Sequence, residues 1–249
     1  AGTVLDAAEH KVLTMPRHFE NRDFKPWCGM LWGNPAGPYS REYLIPGAAA
    51  QVRKLGVDTV LCSGNWLIDE ELRNAFEHGF RMQVMGVVGP VLNVGEVRGE
   101  GRMGYLKQRE EYARTGDKKY LERPYCLNDP QVLDEVAATV ERVATAAARY
   151  RPVGYNCGDE LSMTYYVTPY DYDFSPPALQ AFRDWLRDQY GTLPALNAEW
   201  QTNFATWDEV MPMTAEEVRD HPTYAPWADH RTFMEVTFAQ FFRWADDVL

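Results

Sequence analysis

Short apolar runs alternate with amphipathic stretches along much of the chain, which is the pattern of repeated strand–helix units. Four apolar runs have the length of buried strands and lie near residues 28–33, 57–62, 82–88 and 153–157. A strand followed by a helix and a short connection pairs in parallel with the next strand through a right-handed crossover. The pattern therefore predicts an α/β fold whose four strands are parallel and neighbours in sequence order.

Helical spacing of apolar residues follows the first two strands. We predict one helix that ends at Gly56, and a second that begins at Asp69 and carries Leu72 and Phe76 on its apolar face. Glycine has no Cβ and readily takes the left-handed backbone conformation that ends many helices, which is why Gly56 marks a helix end.

The clearest helix start is Asp129-Pro130, an N-cap followed by proline in the first helical position. The predicted helix has one apolar face, formed by Val132, Val136, Val140, Val143 and Ala147. Further helices are predicted after Ser175, over residues 195–200, and over about 228–248. The four strands and these helices together indicate a sizeable packed domain.

Two long segments interrupt the strand–helix rhythm, one after the third strand and one after the fourth. Residues 92–128 are rich in Gly, Arg, Glu and Lys, and they predict a long loop with one short helix over 106–113. Residues 163–229 form the second insertion. Segments of this length inside a compact domain commonly carry function or are mobile.

The chain length suits a whole (β/α)8 barrel of about 250 residues, but the number of predicted strands does not. We therefore predict a TIM-barrel-type fold in which residues 24–249 supply only about the first four strand–helix units, preceded by an N-terminal arm over 1–23. Four strands leave two sheet edges, whereas a closed barrel has none. We expect the remaining half of the barrel to come from further chain or from a partner subunit, as in an oligomer.

Composition and charge narrow the classes of partner. The 249 residues are 45% hydrophobic, which is enough for a sizeable core, and the formal net charge of −11 argues against nucleic acid and anionic membranes. No run of 18 apolar residues occurs, so we predict no membrane span. The four cysteines form no CxxC pair and no Cys/His cluster, so their spacing predicts no metal site.

Asp159-Glu160 is the stretch most suggestive of chemistry, because it directly follows the fourth predicted strand. In alternating β/α proteins the carboxyl ends of parallel strands face the active site. Two carboxylates there are candidates for acid/base catalysis, and Asn156 on the same strand end is a candidate substrate ligand. A turn with two solvated acids is the alternative that the spacing leaves open.

Aromatic residues make up 13% of the chain, and some follow the predicted strands directly. Trp32, Asn65 and Trp66 come from the ends of the first two strands, so we expect them to line the same face as Glu160. Aromatic faces combined with polar groups suit the binding of sugars. Core packing is the alternative role for the two tryptophans, and a turn is the alternative for Asn65.

Two segments have a sequence typical of one enzyme family. One is Arg123-Pro124-Tyr125-Cys126-Leu127-Asn128-Asp129-Pro130. The other contains Phe182-Arg183-Asp184-Trp185-Leu186, Gln189-Tyr190-Gly191-Thr192-Leu193, Leu196-Asn197, Trp200 and Trp207. Both resemble glycoside hydrolase family 42, and the resemblance covers roughly residues 24–249. The second motif is specific, but in that family it marks a scaffold segment after the fourth strand.

Members of that family are β-galactosidases of a retaining clan with (β/α)8 barrels, so the resemblance implies a glycosidase with a carbohydrate substrate. The family's fourth strand ends in Asn-Glu, where the glutamate is the general acid/base and the asparagine contacts the sugar. Asp159-Glu160 matches this pair, which implies that Glu160 is the acid/base. Asp159 departs from the pattern: an ionised carboxylate accepts hydrogen bonds but donates none, which leaves the preferred sugar open.

Two further family features are absent from the sequence. Many members bind zinc through a cysteine cluster after the fourth strand, but residues 171–175 contain no cysteine, so neither a metal nor another cofactor is implied. The family's nucleophile is a glutamate on the seventh strand, and no seventh strand is predicted here. A retaining glycosidase needs two carboxyl groups about 5–5.5 Å apart, so the nucleophile is expected outside this chain.

Two other hypotheses stay open at this point. A degenerate half barrel would bind a carbohydrate or a partner chain without catalysis, and it predicts no second carboxylate near Glu160. Alternatively, an acid of the second insertion, Asp171 or Asp173, would replace the missing nucleophile.

Overall fold

The computed structural model describes residues 29–31, 47–63, 68–92, 101–158, 161–164 and 170–249. Within these ranges the sheet has four parallel strands in the order β1-β2-β3-β4. They are β1 (Gly29–Leu31), β2 (Val57–Ser63), β3 (Arg81–Met85) and β4 (Gly154–Asn156). The predicted parallel pairing in sequence order is confirmed, whereas the predicted arm over 1–23 lies outside the described residues.

Helices follow the strands and occupy much of both insertions. In chain order the described α-helices are α1 (Ala48–Lys54), α2 (Ile68–Glu77), α3 (Gly101–Thr115), α4 (Pro130–Ala148), α5 (Pro176–Tyr190), α6 (Leu193–Trp200) and α7 (Ala225–Val248). Short 3-10 helices cover Gly89–Leu92, Lys118–Leu121, Trp207–Glu209 and Glu217–Asp220. Among the described helices, none has the length and apolarity needed to span a lipid bilayer.

The sheet packs one face against the helices. Val60 is in register with Met82, and Cys62 is in register with Val84. Side chains alternate between the two faces of a strand, and paired residues of parallel neighbours share a face. All four residues are buried in one hydrophobic core with Leu72 of α2.

The opposite face of the sheet is covered unevenly. Thr59 and Leu61 of β2 are buried on this face, whereas Ser63, Gln83, Met85 and Asn156, nearer the carboxyl edge or on β3 and β4, are half-buried. In a closed barrel the corresponding face is filled by side chains from the other strands.

Helix α4 begins and packs as its sequence predicts. The Asp129 carboxylate accepts a hydrogen bond of 2.9 Å from the Gln131 backbone N–H, and Pro130 occupies the first turn. The predicted apolar face is buried along its whole length: Val132, Val136, Val140, Val143 and Ala147. Because each buried valine stabilises a fold by roughly 1.5–3 kcal/mol, this face anchors α4 to the core.

The insertion after β3 is more helical than predicted. The sequence predicts a short helix over 106–113, whereas α3 spans Gly101–Thr115. Aromatic contacts with the second insertion hold α3, because the Tyr105 ring lies 5.6 Å from that of Tyr170 and 6.4 Å from that of Tyr172. The Tyr172 hydroxyl also donates to Gln108 Oε1 at 2.6 Å. These contacts join segments that are far apart in the sequence, so the local spacing of apolar residues does not predict them.

Two smaller predictions were wrong. Strand β3 ends at Met85 and not near residue 88, because Gly86 has a φ of +78°, which breaks the extended backbone. Phe76 does not join the core, since 59% of it is exposed while Leu72 is fully buried. The Phe76 ring instead lies 5.7 Å from the ring of Tyr150, which follows the end of α4.

The second insertion folds into a scaffold built on α5, α6 and α7. Asp229 of α7 accepts hydrogen bonds at one oxygen, Oδ2, from the Tyr190 hydroxyl at 2.6 Å and from Trp200 Nε1 at 2.7 Å. Asn197 Oδ1 accepts from the Phe204 backbone N–H at 3.0 Å. These contacts give several residues of the 182–207 motif a structural role.

Candidate active site

Three strands of the sheet end at the same level. Ser63 of β2 is in register with Met85 of β3, and Met85 is in register with Asn156 of β4. Because the strands are parallel, the segments that follow all three leave the sheet at one edge. In open and closed α/β sheets this carboxyl edge is where ligands bind.

Asn156 holds the connections at this edge through its main chain and its side chain. Its carbonyl oxygen accepts a hydrogen bond of 2.8 Å from the Gly86 N–H, which fastens the turn after β3 to β4. Its Oδ1 accepts a hydrogen bond of 2.8 Å from the Gly158 N–H. Leu161 lies against Gly158, since an ideal Cβ on that glycine would come within 2.8 Å of Leu161 Cδ2. The residues on both sides of positions 159 and 160 are therefore close together.

One of the six predicted site residues lies in the described part of the chain. Asn156 is half-buried at the carboxyl end of β4, where the sequence predicts it. The others lie outside the described residues: Glu160, Asp159, Asn65, Trp66 and Trp32.

Arg123 is a buried residue to which the sequence reasoning gave no role. It is 3% exposed, and its guanidinium donates to backbone carbonyls. Nε donates to Met163 O at 3.0 Å, Nη2 donates to Val91 O at 2.5 Å, and Nη1 donates to Tyr125 O. Burial lowers the pKa of Arg123 to about 10, so the group remains charged at neutral pH. In the sequence, Arg123 is marked by its place in the segment 123–130, which resembles the family.

Glu71 is a second residue that the sequence reasoning missed. Its Oε2 accepts a hydrogen bond of 2.8 Å from the Ser63 N–H, so a carboxylate of α2 reaches the end of β2. Burial raises the pKa of Glu71, and this hydrogen bond opposes the rise. The sequence signal was weak, because acids are common in the first turn of any helix.

Two acids of the second insertion are engaged in structural hydrogen bonds. Asp171 accepts from the Ala215 N–H at 2.9 Å and from Trp227 Nε1 at 3.0 Å, one at each carboxylate oxygen. Asp173 Oδ1 accepts from the Arg123 backbone N–H at 3.0 Å. Donors that hold a carboxylate reduce its nucleophilicity, so these contacts argue against either acid as a replacement nucleophile.

In the part of the chain that the structure describes, no group of three or more His, Cys, Asp or Glu side chains is arranged to hold a metal ion. Cys62 and Cys126 are buried, and burial raises the pKa of each thiol to about 12. Metal binding requires the thiolate, so these two cysteines are packed as neutral core residues.

Comparisons with known proteins identify the family. The family model described as β-galactosidase, glycoside hydrolase family 42, matches residues 108–249. Among curated proteins, the chain is similar to β-galactosidase Bga of Halorubrum lacusprofundi. The identity is 32% over 107 residues, which is 41% of this chain and 15% of that protein.

Solved β-galactosidases share the fold. That of Bacillus circulans sp. alkalophilus has a TM-score of 0.57 at 15% identity, over 89% of this chain and 34% of that one. That of the psychrophilic Marinomonas ef1 has a TM-score of 0.57 at 17% identity, over 88% and 34% of the two chains. The chain thus spans 34% of the length of either structure. Since the family model matches more than half of its residues, the chain belongs to glycoside hydrolase family 42, the β-galactosidase family.

Proposed function

We propose that this chain supplies part of the catalytic barrel of a retaining glycosidase of the β-galactosidase type, with a carbohydrate substrate and Glu160 as general acid/base. The observation that carries the proposal is sequence position: Asp159 and Glu160 stand three and four residues after Asn156, the last residue of β4, whose backbone is aligned with the ends of β2 and β3. Membership of the family supports the reaction class.

In the proposed reaction Glu160 donates its proton to the glycosidic oxygen while a nucleophilic carboxylate attacks the anomeric carbon. The leaving group departs as an alcohol, and a covalent glycosyl-enzyme remains. The Glu160 carboxylate then removes a proton from water, which attacks the same carbon and releases the sugar. Because Asp171 and Asp173 are engaged elsewhere, we propose that the nucleophile lies outside these 249 residues.

The neighbours of Glu160 in the sequence are proposed to bind the substrate. Asp159 and Asn156 are proposed to bind the sugar beside the scissile bond. Since Asn156 Oδ1 already accepts from Gly158, its amide Nδ2 is the group that would donate to a sugar hydroxyl.

The remaining predicted residues are proposed to complete the sugar site. Trp32 and Trp66 would place aromatic faces against the apolar face of a pyranose ring, and Asn65 would bond to a hydroxyl. Glu71 supports this arrangement because it holds the Ser63 N–H, two residues before Asn65.

We further propose that the sheet is the first half of a barrel that further chain or a partner subunit completes. Within the described ranges, β1 and β4 each pair with a single neighbour. The half-buried face that carries Ser63, Gln83 and Met85 is the one that other strands would cover. The formal net charge of −11 favours neither nucleic acid nor an anionic membrane as the partner.

The experiment is Glu160→Gln in the complete protein, assayed on aryl galactosides with good and poor leaving groups. Glutamine keeps the shape but has no proton to give, so hydrolysis of the poor leaving group should fall by about 10²–10⁴-fold. An activated aryl galactoside needs little protonation, so its first step should fall much less. Azide should partly restore turnover of the activated substrate, because azide attacks the glycosyl-enzyme without a general base.

Asp159→Asn is the matched control, because it removes the neighbouring charge but leaves the proton donor. We expect it to fold, to show no dependence on the leaving group and to gain nothing from azide. Equal losses for good and poor leaving groups in Glu160→Gln, without an azide effect, would refute the acid/base role.

A further inference from the structure

We infer that Arg123 is the positioning residue for Glu160, because it ties the segment just after Glu160 to the connection that follows β3. This inference rests on the proposed acid/base role of Glu160. Residues 161–164 continue the chain from Glu160, and the Arg123 Nε–H donates to the Met163 carbonyl at 3.0 Å, three residues beyond it.

The same guanidinium also reaches the connection that follows β3. Nη2 donates to the carbonyl of Val91 at 2.5 Å, in the 3-10 helix that follows β3, and Nη1 donates to Tyr125 O. Arg123 therefore joins segments that are 32 and 40 residues away from it in sequence. The three acceptors bond to three different nitrogens of one planar group, an arrangement that a lysine ammonium on a flexible stem reproduces poorly.

Arg123 is itself held in place. Its backbone N–H donates to Asp173 Oδ1 at 3.0 Å, and the Phe174 N–H donates to Leu121 O at 3.0 Å. The residue is 3% exposed, so water does not compete for the donors of its side chain. A buried cation bonded to several carbonyls is a fixed point, since removal of any acceptor would leave an unpaired buried donor.

A second contact fastens the same segment. The Ser162 N–H donates to Leu92 O at 3.4 Å, next to the acceptor of Arg123. The Ser162 hydroxyl donates to Thr164 O at 3.0 Å and accepts from the Thr164 N–H at 3.2 Å, so this short segment is also tied to itself.

The two residues at positions 159 and 160 are thus bracketed. On one side, Asn156 holds Gly158 through a hydrogen bond of 2.8 Å, and on the other side Arg123 holds Met163. A displacement of 1 Å at a reacting group can lower the rate by about 10²-fold, so the anchors on both sides bear directly on proton donation.

The test is Arg123→Lys in the complete protein, which keeps the charge but loses the fork of donors. We expect turnover of a galactoside with a poor leaving group to fall by about 10-fold or more, whereas turnover of an activated aryl galactoside falls less than about 3-fold. Azide should also accelerate the activated substrate, as it does for Glu160→Gln but to a smaller extent. A merely structural role predicts neither the leaving-group dependence nor the azide effect.

Arg183→Lys is the matched control. Arg183 Nε also donates to a backbone carbonyl, that of Val210, at 3.0 Å, but it lies in the α5 scaffold. Loss of this hydrogen bond in Arg183→Lys should lower the melting temperature and reduce turnover of all substrates by one common factor.

Each outcome supports or overturns the positioning role of Arg123. A folded Arg123→Lys that loses the same factor on both substrates overturns the inference. If this variant does not fold, Ser162→Ala takes its place, since it loosens the same segment at a half-buried site; proportional losses there overturn the inference as well. If Glu160→Gln shows leaving-group dependence and these variants do not, only the inference fails. If Glu160→Gln shows no leaving-group dependence, the proposed acid/base role of Glu160 is wrong, and the inference that rests on it fails with it.

Discussion

The side-chain Oδ1 of Asn156 lies 2.8 Å from the backbone nitrogen of Gly158 and accepts its hydrogen. This contact closes a turn at the end of β4, one residue before Asp159. An asparagine that bonds to the backbone two residues ahead forms such a turn without any help from regular secondary structure. The residue therefore has a structural task as well as its proposed contact with the sugar.

Asn156→Ala should destabilise the fold. It removes the acceptor of a half-buried hydrogen bond, which typically contributes about 0.5–1.5 kcal/mol. Asn156→Asp keeps an oxygen at the same position and should lose less of the free energy of unfolding. Urea denaturation of the complete protein and both variants measures the difference. Equal destabilisation by Ala and Asp would mean that the acceptor oxygen does not hold the turn.

His230 should make stability depend on pH. Its Nε2 lies 3.2 Å from the Asp173 carbonyl oxygen, which can only accept, so Nε2 carries a proton. Burial between the rings of Phe174 and Phe182 lowers the pKa of His230 to about 4, from an ordinary value of 6.5. Because the unfolded chain takes up the proton first, this stabilisation is present above about pH 6.5 and is lost as the pH falls towards 4.

The measurement compares urea unfolding of the complete protein and of His230→Gln between pH 7 and pH 4. Glutamine can still donate to the Asp173 carbonyl but does not titrate. The wild-type protein should lose on the order of 3 kcal/mol more than the variant over this range. Parallel stability curves for the two proteins would contradict the low pKa of His230.

Asp229 should stabilise the second insertion, because its carboxylate joins α7 to α5 and α6. It accepts from the Tyr190 hydroxyl and from Trp200 Nε1, so Asp229→Ala leaves two donors of α5 and α6 without their acceptor. Hydrogen bonds to a charged group contribute about 1.5–3 kcal/mol each, so a loss of several kcal/mol in the free energy of unfolding is expected.

The control for Asp229 is Asp188→Ala, which removes an exposed acid from α5. Exposed substitutions of this kind usually change stability by less than about 0.5 kcal/mol. Thermal and urea denaturation should therefore separate the two variants clearly. Similar small effects for both would show that Asp229 does not hold the scaffold.

The sequence by itself determined the order and parallel pairing of the strands, and the bounds of two of them. Apolar runs of strand length gave β2 and β4 to within about one residue, and the cap at Asp129 located the start of α4. These features are local: strand length, caps and the period of buried residues depend on residues that are near one another in the chain. The family resemblance likewise rested on two contiguous segments, and the family model confirms it.

Only the tertiary structure decided which residues from distant parts of the sequence contact one another. Tyr105 of α3 contacts the rings of Tyr170 and Tyr172, which lie more than 60 residues further along the chain, and Arg123 bonds to carbonyls 32 and 40 residues away. Phe76 has the helical spacing of a core residue, but the packing of α2 against the sheet leaves it on the surface. A buried hydrogen bond between remote groups has no period in the sequence, because it forms only when the fold has brought donor and acceptor together.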